Sequence, residues 1–182
     1  MKKITTFIFL CSMAFYLQSC NNNTPQQYFN IAVLNSNMLY RFAGNGMQRE
    51  LEGPSEKLVD EKTMITAPMK RAEVIKDKLQ FIESSYQKIK ELGSNEDAAA
   101  MVKASLTLYE FVLPVCKNEY AQLAIAYDES ASADKIADME KTIQNKYAAT
   151  FDELYNALHT TAMAYAAKHG INVREVNPAP TQ

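Results

Sequence analysis

Tryptophan is absent from this chain of 182 residues, and glycine and cysteine are scarce, with five and three copies. All five glycines fall where the apolar pattern is interrupted, which is typical of helix ends and turns. None of them belongs to a nucleophile elbow or to a phosphate-binding loop that follows a strand. The cysteine pair that attaches haem covalently is also missing. These absences argue against several common classes of enzyme.

The first twenty residues carry the clearest signal in the chain. A basic pair, Lys2-Lys3, precedes an uncharged and mostly apolar run over 4–17, which is shorter than the roughly 20 residues of a membrane-spanning helix. The run ends at Leu17-Gln18-Ser19-Cys20, which resembles the lipobox of bacterial lipoproteins. The resemblance implies that residues 1–19 are a signal peptide that is removed, and that lipids on Cys20 then bind the protein to a membrane.

Two other interpretations of this segment are weaker. A plain secretory signal places small residues just before the cleavage site, where Gln18 is a poor fit. An uncleaved anchor needs a longer apolar run. Loss of Lys2 and Lys3 with the signal lowers the formal net charge from −2 to −4, which gives no reason to expect nucleic acid as a partner.

The residues after Cys20 bear on location and on domain organisation. Residues 20–24 form a short polar tether, and 21–24 carry no charge. Among lipoproteins, the lack of an aspartate or an acidic cluster at this place implies the outer membrane, facing the periplasm, with the cell surface as the alternative. We expect one helical-bundle domain over 25–173 and a flexible tail over 174–182.

Apolar residues recur at helical spacing along the rest of the chain. The run Thr24-Pro25-Gln26-Gln27 predicts a helix start, and that helix runs to about Phe42 before a loop over 43–54. Three longer helices are predicted over 55–93, 94–127 and 132–169, and no alternating strand pattern is evident. We therefore predict an all-α fold. It is an elongated up-and-down antiparallel helical bundle with three long helices and a shorter N-terminal helix.

Two prolines fall inside the predicted second and third helices, where proline removes a backbone hydrogen bond and kinks the chain. If these helices fold back on each other, Pro68 and Pro114 lie at nearly the same level. With Met69, Val115 and Tyr147 they would border a loosely packed zone, which is the best candidate for binding a ligand or a partner side chain. The alternative is that each proline is tolerated independently.

The other candidates for chemistry are weak. Neither His159 nor His169 follows a glutamate at the spacing of a di-iron site, although His159 and Met163 could supply ligands to haem or copper. Cys116 lies in the middle of a predicted apolar helix, where a free cysteine packs as a small hydrophobe. We therefore predict no catalytic residue, no metal site and no cofactor, and a protein that is not an enzyme.

Four segments of the helical half carry a family resemblance. They are Ala104-Ser105-Leu106-Thr107-Leu108-Tyr109-Glu110-Phe111, Asn118-Glu119-Tyr120, Phe151, and Tyr165-Ala166-Ala167-Lys168-His169-Gly170-Ile171. Over 98–173 the chain resembles small bacterial lipoproteins known only as surface proteins, from Bacteroides relatives and spirochaetes, and that family supplies no catalytic residues. With the lipobox, this predicts a non-enzymatic, lipid-anchored cell-envelope protein that acts through contacts with another envelope protein. The alternatives are a helical bundle that binds a small ligand or haem, and a surface-exposed adhesion or interaction lipoprotein.

Overall fold

The computed structural model of the protein describes residues 23–53 and 56–173. The predicted signal peptide, the predicted lipidation site Cys20 and the predicted tail over 174–182 lie outside the described residues. Within them the protein is mostly helical, as the sequence predicts. The elements in chain order are α1 (Pro25–Ala32), α2 (Asn45–Glu52), β1 (Glu56–Asp60), β2 (Ile65–Pro68), α3 (Arg71–Lys90), α4 (Ala99–Asp128) and α5 (Ala133–His169).

The predicted helix start at Thr24 is confirmed. The Thr24 hydroxyl accepts a hydrogen bond from the backbone N–H of Gln27, and the Gln27 side chain accepts one from the backbone N–H of Thr24. Pro25 occupies the first helical position, where its missing N–H has no consequence. The α-helix ends earlier than predicted, at Ala32, and a separate 3-10 helix follows over Leu34–Leu39.

The region between the first helix and α3 differs from the prediction. The expected loop over 43–54 contains α2, which buries Met47 and Leu51. The expected start of the second helix is an antiparallel hairpin of β1 and β2, so the all-α prediction is wrong for this segment. Pro68 is the last residue of β2 and kinks no helix. Proline disfavours helical geometry in the residue before it, and β-branched residues such as Ile65 favour strands.

The hairpin turn is held by a side chain. The Asp60 carboxylate accepts hydrogen bonds from the backbone N–H groups of Lys62 and Thr63. Met64 then takes a left-handed conformation with φ of 55°, which reverses the chain into β2. Helix α3 begins only after this turn and the strand that follows it.

Helix α4 lies between α3 and α5 and forms the centre of the fold. Tyr86 of α3 bonds to Glu110, and Glu83 pairs with Lys117, so residue numbers rise along one helix as they fall along the other. The contacts between α5 and the α4 region follow the same rule. Asp97, which lies just before α4, pairs with Lys168 of α5. These neighbouring helices are therefore antiparallel.

Helix α4 is also, among the described residues, the one helix long and apolar enough to cross a membrane by length and composition. The same apolar residues are used for packing inside the fold. Met101, Leu108, Val112 and Leu123 are at most 1% exposed and contact the neighbouring helices through a shared core. The central place of α4 in the fold therefore accounts for part of its high hydropathy.

The segment from α1 to α2 runs along α4 from one end to the other. Tyr28 donates to the carbonyl of Gly93, which precedes α4, and Ser105 donates to the carbonyl of Ala32. Farther along, Arg71 donates to the carbonyl of Leu51 beside the end of α4. The start of the domain and the hairpin therefore lie at opposite ends of α4, which is about 45 Å long at 1.5 Å per residue.

Two buried tyrosines of α4 should respond differently to loss of the hydroxyl. The Tyr120 hydroxyl donates to the Phe42 carbonyl, whereas the Tyr109 hydroxyl forms no hydrogen bond of normal geometry and has only the Ser85 side chain beside it, which partly offsets the rise of its pKa. Burial raises the pKa of Tyr109 to about 12, so the phenol stays neutral. We expect Tyr120→Phe to lower the free energy of unfolding by about 1–2 kcal/mol, because a buried carbonyl loses its donor. Tyr109→Phe should leave it unchanged or raise it, since an unsatisfied polar group is removed.

Urea unfolding of the two variants provides the measurement for this prediction. Both changes remove one oxygen atom from a ring that is at most 3% exposed, so each serves as the size-matched control for the other. Equal destabilisation of both variants would contradict the assignment of a partner to Tyr120 and none to Tyr109.

Candidate functional site

An open groove of about 520 Å³ lies on the surface between α4 and α5. Met139 and Ile143 of α5 supply its apolar residues. Polar side chains from both helices complete the lining, and they are Glu119, Gln122, Lys135, Asp138 and Thr142. The volume of this groove is within the range of small-ligand binding sites, and its lining surface is mostly apolar although five of the seven lining residues are polar.

A π-helical turn in α4, over Cys116–Tyr120, positions the first of these polar groups. It follows Pro114, which lies inside the helix and cannot donate a backbone hydrogen bond. A π turn inserts one extra residue into a helix and is often found at functional sites. Here the turn contains Glu119 and therefore sets the direction in which that side chain leaves the helix.

Two side chains of α5 hold the Glu119 carboxylate. The Tyr147 hydroxyl donates to Glu119, and the Lys146 ammonium lies 3.3 Å from the same oxygen. The hydrogen bond from Tyr147, followed by that from Lys146, holds the pKa of Glu119 below its usual range. The groove therefore has a fixed, ionised carboxylate at its border, with a second carboxylate from Asp138 and an ammonium group from Lys135 nearby.

The predicted binding zone is brought together only in part. Tyr147 does lie on the α4 side of α5, where its ring contacts Phe111 at 6.0 Å between centroids. Val115 is buried and Pro114 is exposed one residue before it. This half of the zone therefore lies on the two helices that form the groove.

Pro68 and Met69 are not at the level of Pro114, and this part of the prediction is wrong. Pro114 lies between Glu110 and Lys117, which pair with Tyr86 and Glu83 of α3. Met69 precedes the start of α3 by two residues, which puts it about 20 Å away along the helix axis. The error follows from treating Pro68 as helical, because the chain forms a hairpin there.

The residues Glu119, Gln122, Asp138 and Met139 were not predicted as a site. The buried positions of α4 around the π turn are Val115, Cys116 and Tyr120, and the step of four from Cys116 to Tyr120 is an ordinary helical spacing. The spacing of apolar residues therefore gives no signal for the turn. Pro114, just before it, is a sequence feature that marks a departure from regular helix, but it does not identify the groove beside the turn.

The structure also places Cys116 and His169, two other residues considered for chemistry. Cys116 is fully buried, and burial raises the pKa of its thiol to about 11, so it is not activated as a nucleophile. The His169 ring lies 4.4 Å from that of Tyr165 and its Nε2 is 3.7 Å from Asp97. Over residues 23–53 and 56–173, no three His, Cys, Asp or Glu side chains come together in a way that could hold a metal ion.

No family model, no curated protein and no solved structure matches this chain. The resemblance to surface lipoproteins therefore stays a prediction.

Proposed function

We propose that the chain is a non-enzymatic, lipid-anchored cell-envelope protein, an elongated up-and-down helical bundle that acts through protein–protein contacts. The observation that carries the proposal is the closeness of the lipobox to the fold. Cys20 precedes the N-cap residue Thr24 by four positions. A chain of this length spans at most about 15 Å. Lipids on Cys20 would therefore hold the N-terminal end of the bundle next to the membrane.

The exposed surface supports contact with other proteins. Eight large apolar side chains of the described residues are exposed, and four of them belong to the hairpin. The hairpin is at the end of the fold opposite to Thr24, so an anchored bundle would present it away from the membrane. An envelope protein that reaches from its membrane toward a partner fits this arrangement of anchor and apolar end.

The first prediction from this proposal concerns the anchor. We expect Cys20→Ser to abolish lipid attachment and to leave the protein unprocessed or released from the membrane, because a hydroxyl cannot replace the thiol that carries the lipid. Metabolic labelling with a radioactive fatty acid and membrane fractionation provide the measurement. Cys116→Ala is the matched control and should keep the label, since Cys116 is buried in the core. Label that persists on Cys20→Ser protein would contradict the proposal.

The location proposed is the outer membrane, facing the periplasm, and the alternative is a surface-exposed adhesion or interaction lipoprotein. Protease added to intact cells distinguishes the two. The exposed hairpin should be cleaved only after the outer membrane is made permeable if the protein faces the periplasm. Cleavage in intact cells would instead support the surface-exposed alternative.

A second candidate function is the binding of a small apolar ligand, and the groove between α4 and α5 favours it. A native mass spectrum of protein purified from its own membrane would reveal such a ligand, and Met139→Glu should release it by charging the apolar base. The lining of this groove contains no histidine or cysteine, so it offers haem few of its usual axial ligands. A visible spectrum of the same sample tests the haem alternative directly.

A further inference from the structure

The hairpin of β1 and β2 is the most exposed apolar part of the described structure. Leu58, Val59, Met64 and Ile65 are between 46% and 71% exposed, and Met64 has the largest value. The other three side chains are saturated hydrocarbons, which mild oxidants leave unchanged. The thioether of Met64 is therefore the one group of this apolar patch through which an oxidant can alter it.

Met64 is also the most accessible methionine over residues 23–53 and 56–173. Of the nine methionines in the chain, Met1 and Met13 belong to the predicted signal peptide. The other seven lie in the part that the structure describes, where Met64 is exposed and the rest are half-buried or buried. The rest are Met38, Met47, Met69, Met101, Met139 and Met163. Because an oxidant in solution reaches an exposed thioether most easily, Met64 should react before them.

The exposure of Met64 follows from the way in which the turn is built. The Asp60 carboxylate accepts hydrogen bonds from the backbone N–H groups of Lys62 and Thr63. Met64 comes next with φ of 55°, a left-handed conformation that is uncommon for residues other than glycine. The turn thus fixes the backbone at Met64 and leaves its side chain in solvent, so no local opening of the fold is needed for a reaction there.

The cysteines do not compete with Met64 for an oxidant in solution. Cys116 is fully buried, and burial raises the pKa of its thiol to about 11, so the reactive thiolate is not formed at neutral pH. Cys11 belongs to the predicted signal peptide and Cys20 is the predicted lipidation site, so neither would keep a free thiol in the mature protein. The thioether of Met64 is therefore the sulfur that reacts first in the described structure.

We propose that Met64 is a reversible oxidation site, at which a two-electron oxidant such as hydrogen peroxide converts the thioether to methionine sulfoxide. A lone pair of the sulfur attacks one oxygen of the peroxide, so an S–O bond forms and the O–O bond breaks. The departing hydroxide takes up the proton left on the transferred oxygen, which yields water. Sulfur loses two electrons and the peroxide gains them. This inference goes beyond the proposed function and does not depend on the lipid anchor.

Oxidation at Met64 changes the surface of the hairpin and leaves the core as it is. Methionine sulfoxide is polar, so the exposed patch loses a large apolar side chain. Met47 and Met101 are at most 1% exposed, and the same change at either would place a polar oxygen in the core. The exposed position also leaves the sulfoxide accessible to a methionine sulfoxide reductase, which restores the thioether.

One tryptic peptide contains both the site and its matched control. Cleavage after Lys62 and Lys70 releases residues 63–70, which include the exposed Met64 and the half-buried Met69. Full-length protein in mild detergent is treated with a limiting amount of hydrogen peroxide, and fragmentation of this peptide in a mass spectrometer locates the added oxygen. We expect Met64 to be oxidised on the order of tenfold faster than Met69, because access of the oxidant sets the rate.

Unfolding the protein before the treatment tests whether the fold causes this difference. In urea both methionines are in solvent, so they should be oxidised at equal rates. In the folded protein Met64→Leu should remove the fast reaction and leave the rate at Met69 unchanged, whereas Met69→Leu should leave the fast reaction intact. Folded protein oxidised at Met64 should keep its urea midpoint, since an exposed side chain contributes little to packing.

Reversibility is measured in the cells that make the protein. After hydrogen peroxide is washed out and protein synthesis is blocked, the fraction of sulfoxide at Met64 should fall, because repair is then the one source of restored thioether. Equal rates at Met64 and Met69 in the folded protein, or an earlier reaction at Met139, would overturn the site. A lowered urea midpoint would show that the change reaches the core, against the inference. A sulfoxide that persists in the washed cells would overturn its reversibility.

Discussion

Replacement of Gly46 by alanine should lower the free energy of unfolding by about 2–3 kcal/mol, because the structure has no room for the added methyl group. A Cβ at this position would lie 2.6 Å from the Tyr40 carbonyl oxygen and 2.9 Å from that of Arg41. Both contacts are to backbone, which cannot move aside as a flexible side chain can. The Arg41 carbonyl is also fixed, since it accepts hydrogen bonds from the backbone N–H groups of Gly44 and Gly46.

The strain would be transmitted to the core through α2. Arg41 is held in a left-handed conformation with φ of 55°, so the turn before α2 is already constrained. Gly46 lies in the first turn of α2, and the buried Met47 and Leu51 follow it on the same helix. Displacement of the turn would therefore draw two core side chains out of place.

Gly53 provides the matched control for this experiment. A Cβ there meets only the Arg49 carbonyl oxygen, at an ordinary distance of 3.7 Å. Its φ is −122°, which any residue can adopt. Gly53→Ala should change the free energy of unfolding by less than about 0.5 kcal/mol. Urea unfolding of both variants checks the prediction, and equal effects at the two glycines would show that the turn at 40–46 is not as tightly built as the contacts indicate.

The features that were predicted correctly are those whose partners lie close together in the sequence. The capping box at Thr24 and the cap at Ser132 each use a residue three positions away. The end of α5 uses Gly170, whose φ of 64° suits glycine, and the backbone N–H of Ile171 bonds back to Ala166. Local spacing contains all the information that these ends require.

The features that were missed depend on partners far away in the sequence or on a change in the spacing of apolar residues. The hairpin was assigned to a helix, because its strands are only five and four residues long and interrupt the helical spacing briefly. The predicted start of the third helix at residue 94 is also wrong, since α4 begins at Ala99 and the Asp97 carboxylate just before it pairs with Lys168 of α5 at 2.6 Å. A residue 71 positions away determined that contact.

The candidate site was likewise predicted only where local spacing determines it. If α5 folds back on α4 at the turn near Ala131, counting residues from that turn brings Tyr147 opposite Pro114. The contact of Tyr147 with Phe111 is consistent with that count. The groove beside it depends on the π turn, which redirects Glu119 relative to a regular helix. Spacing rules assume 3.6 residues per turn and do not include the extra residue of a π turn. The polar side of the groove was not predicted for this reason.

Replacement of Asp128 by alanine should lower the free energy of unfolding by about 2 kcal/mol, because this side chain caps a helix from a distant part of the chain. One carboxylate oxygen accepts from the backbone N–H of Arg71 at 2.9 Å, and the other accepts from that of Ala72 at 3.0 Å. These are the first two N–H groups of α3, which have no partner within their own helix. The negative charge is also favourable at a helix N-terminus.

The region in which protection from hydrogen exchange is lost distinguishes this cap from ordinary packing. Hydrogen exchange should accelerate first at the start of α3, beside the hairpin, while the middle of α4 stays protected. Glu129→Ala is the control, since this exposed neighbour makes no comparable contact with α3, and it should change stability by less than about 0.5 kcal/mol. Asp128→Asn should fall between the two, because an amide keeps one acceptor but turns donors toward a second N–H. Uniform faster exchange over the whole of α3 and α4 in Asp128→Ala would mean that the carboxylate stabilises the global fold and does not specifically join the start of α3 to the end of α4.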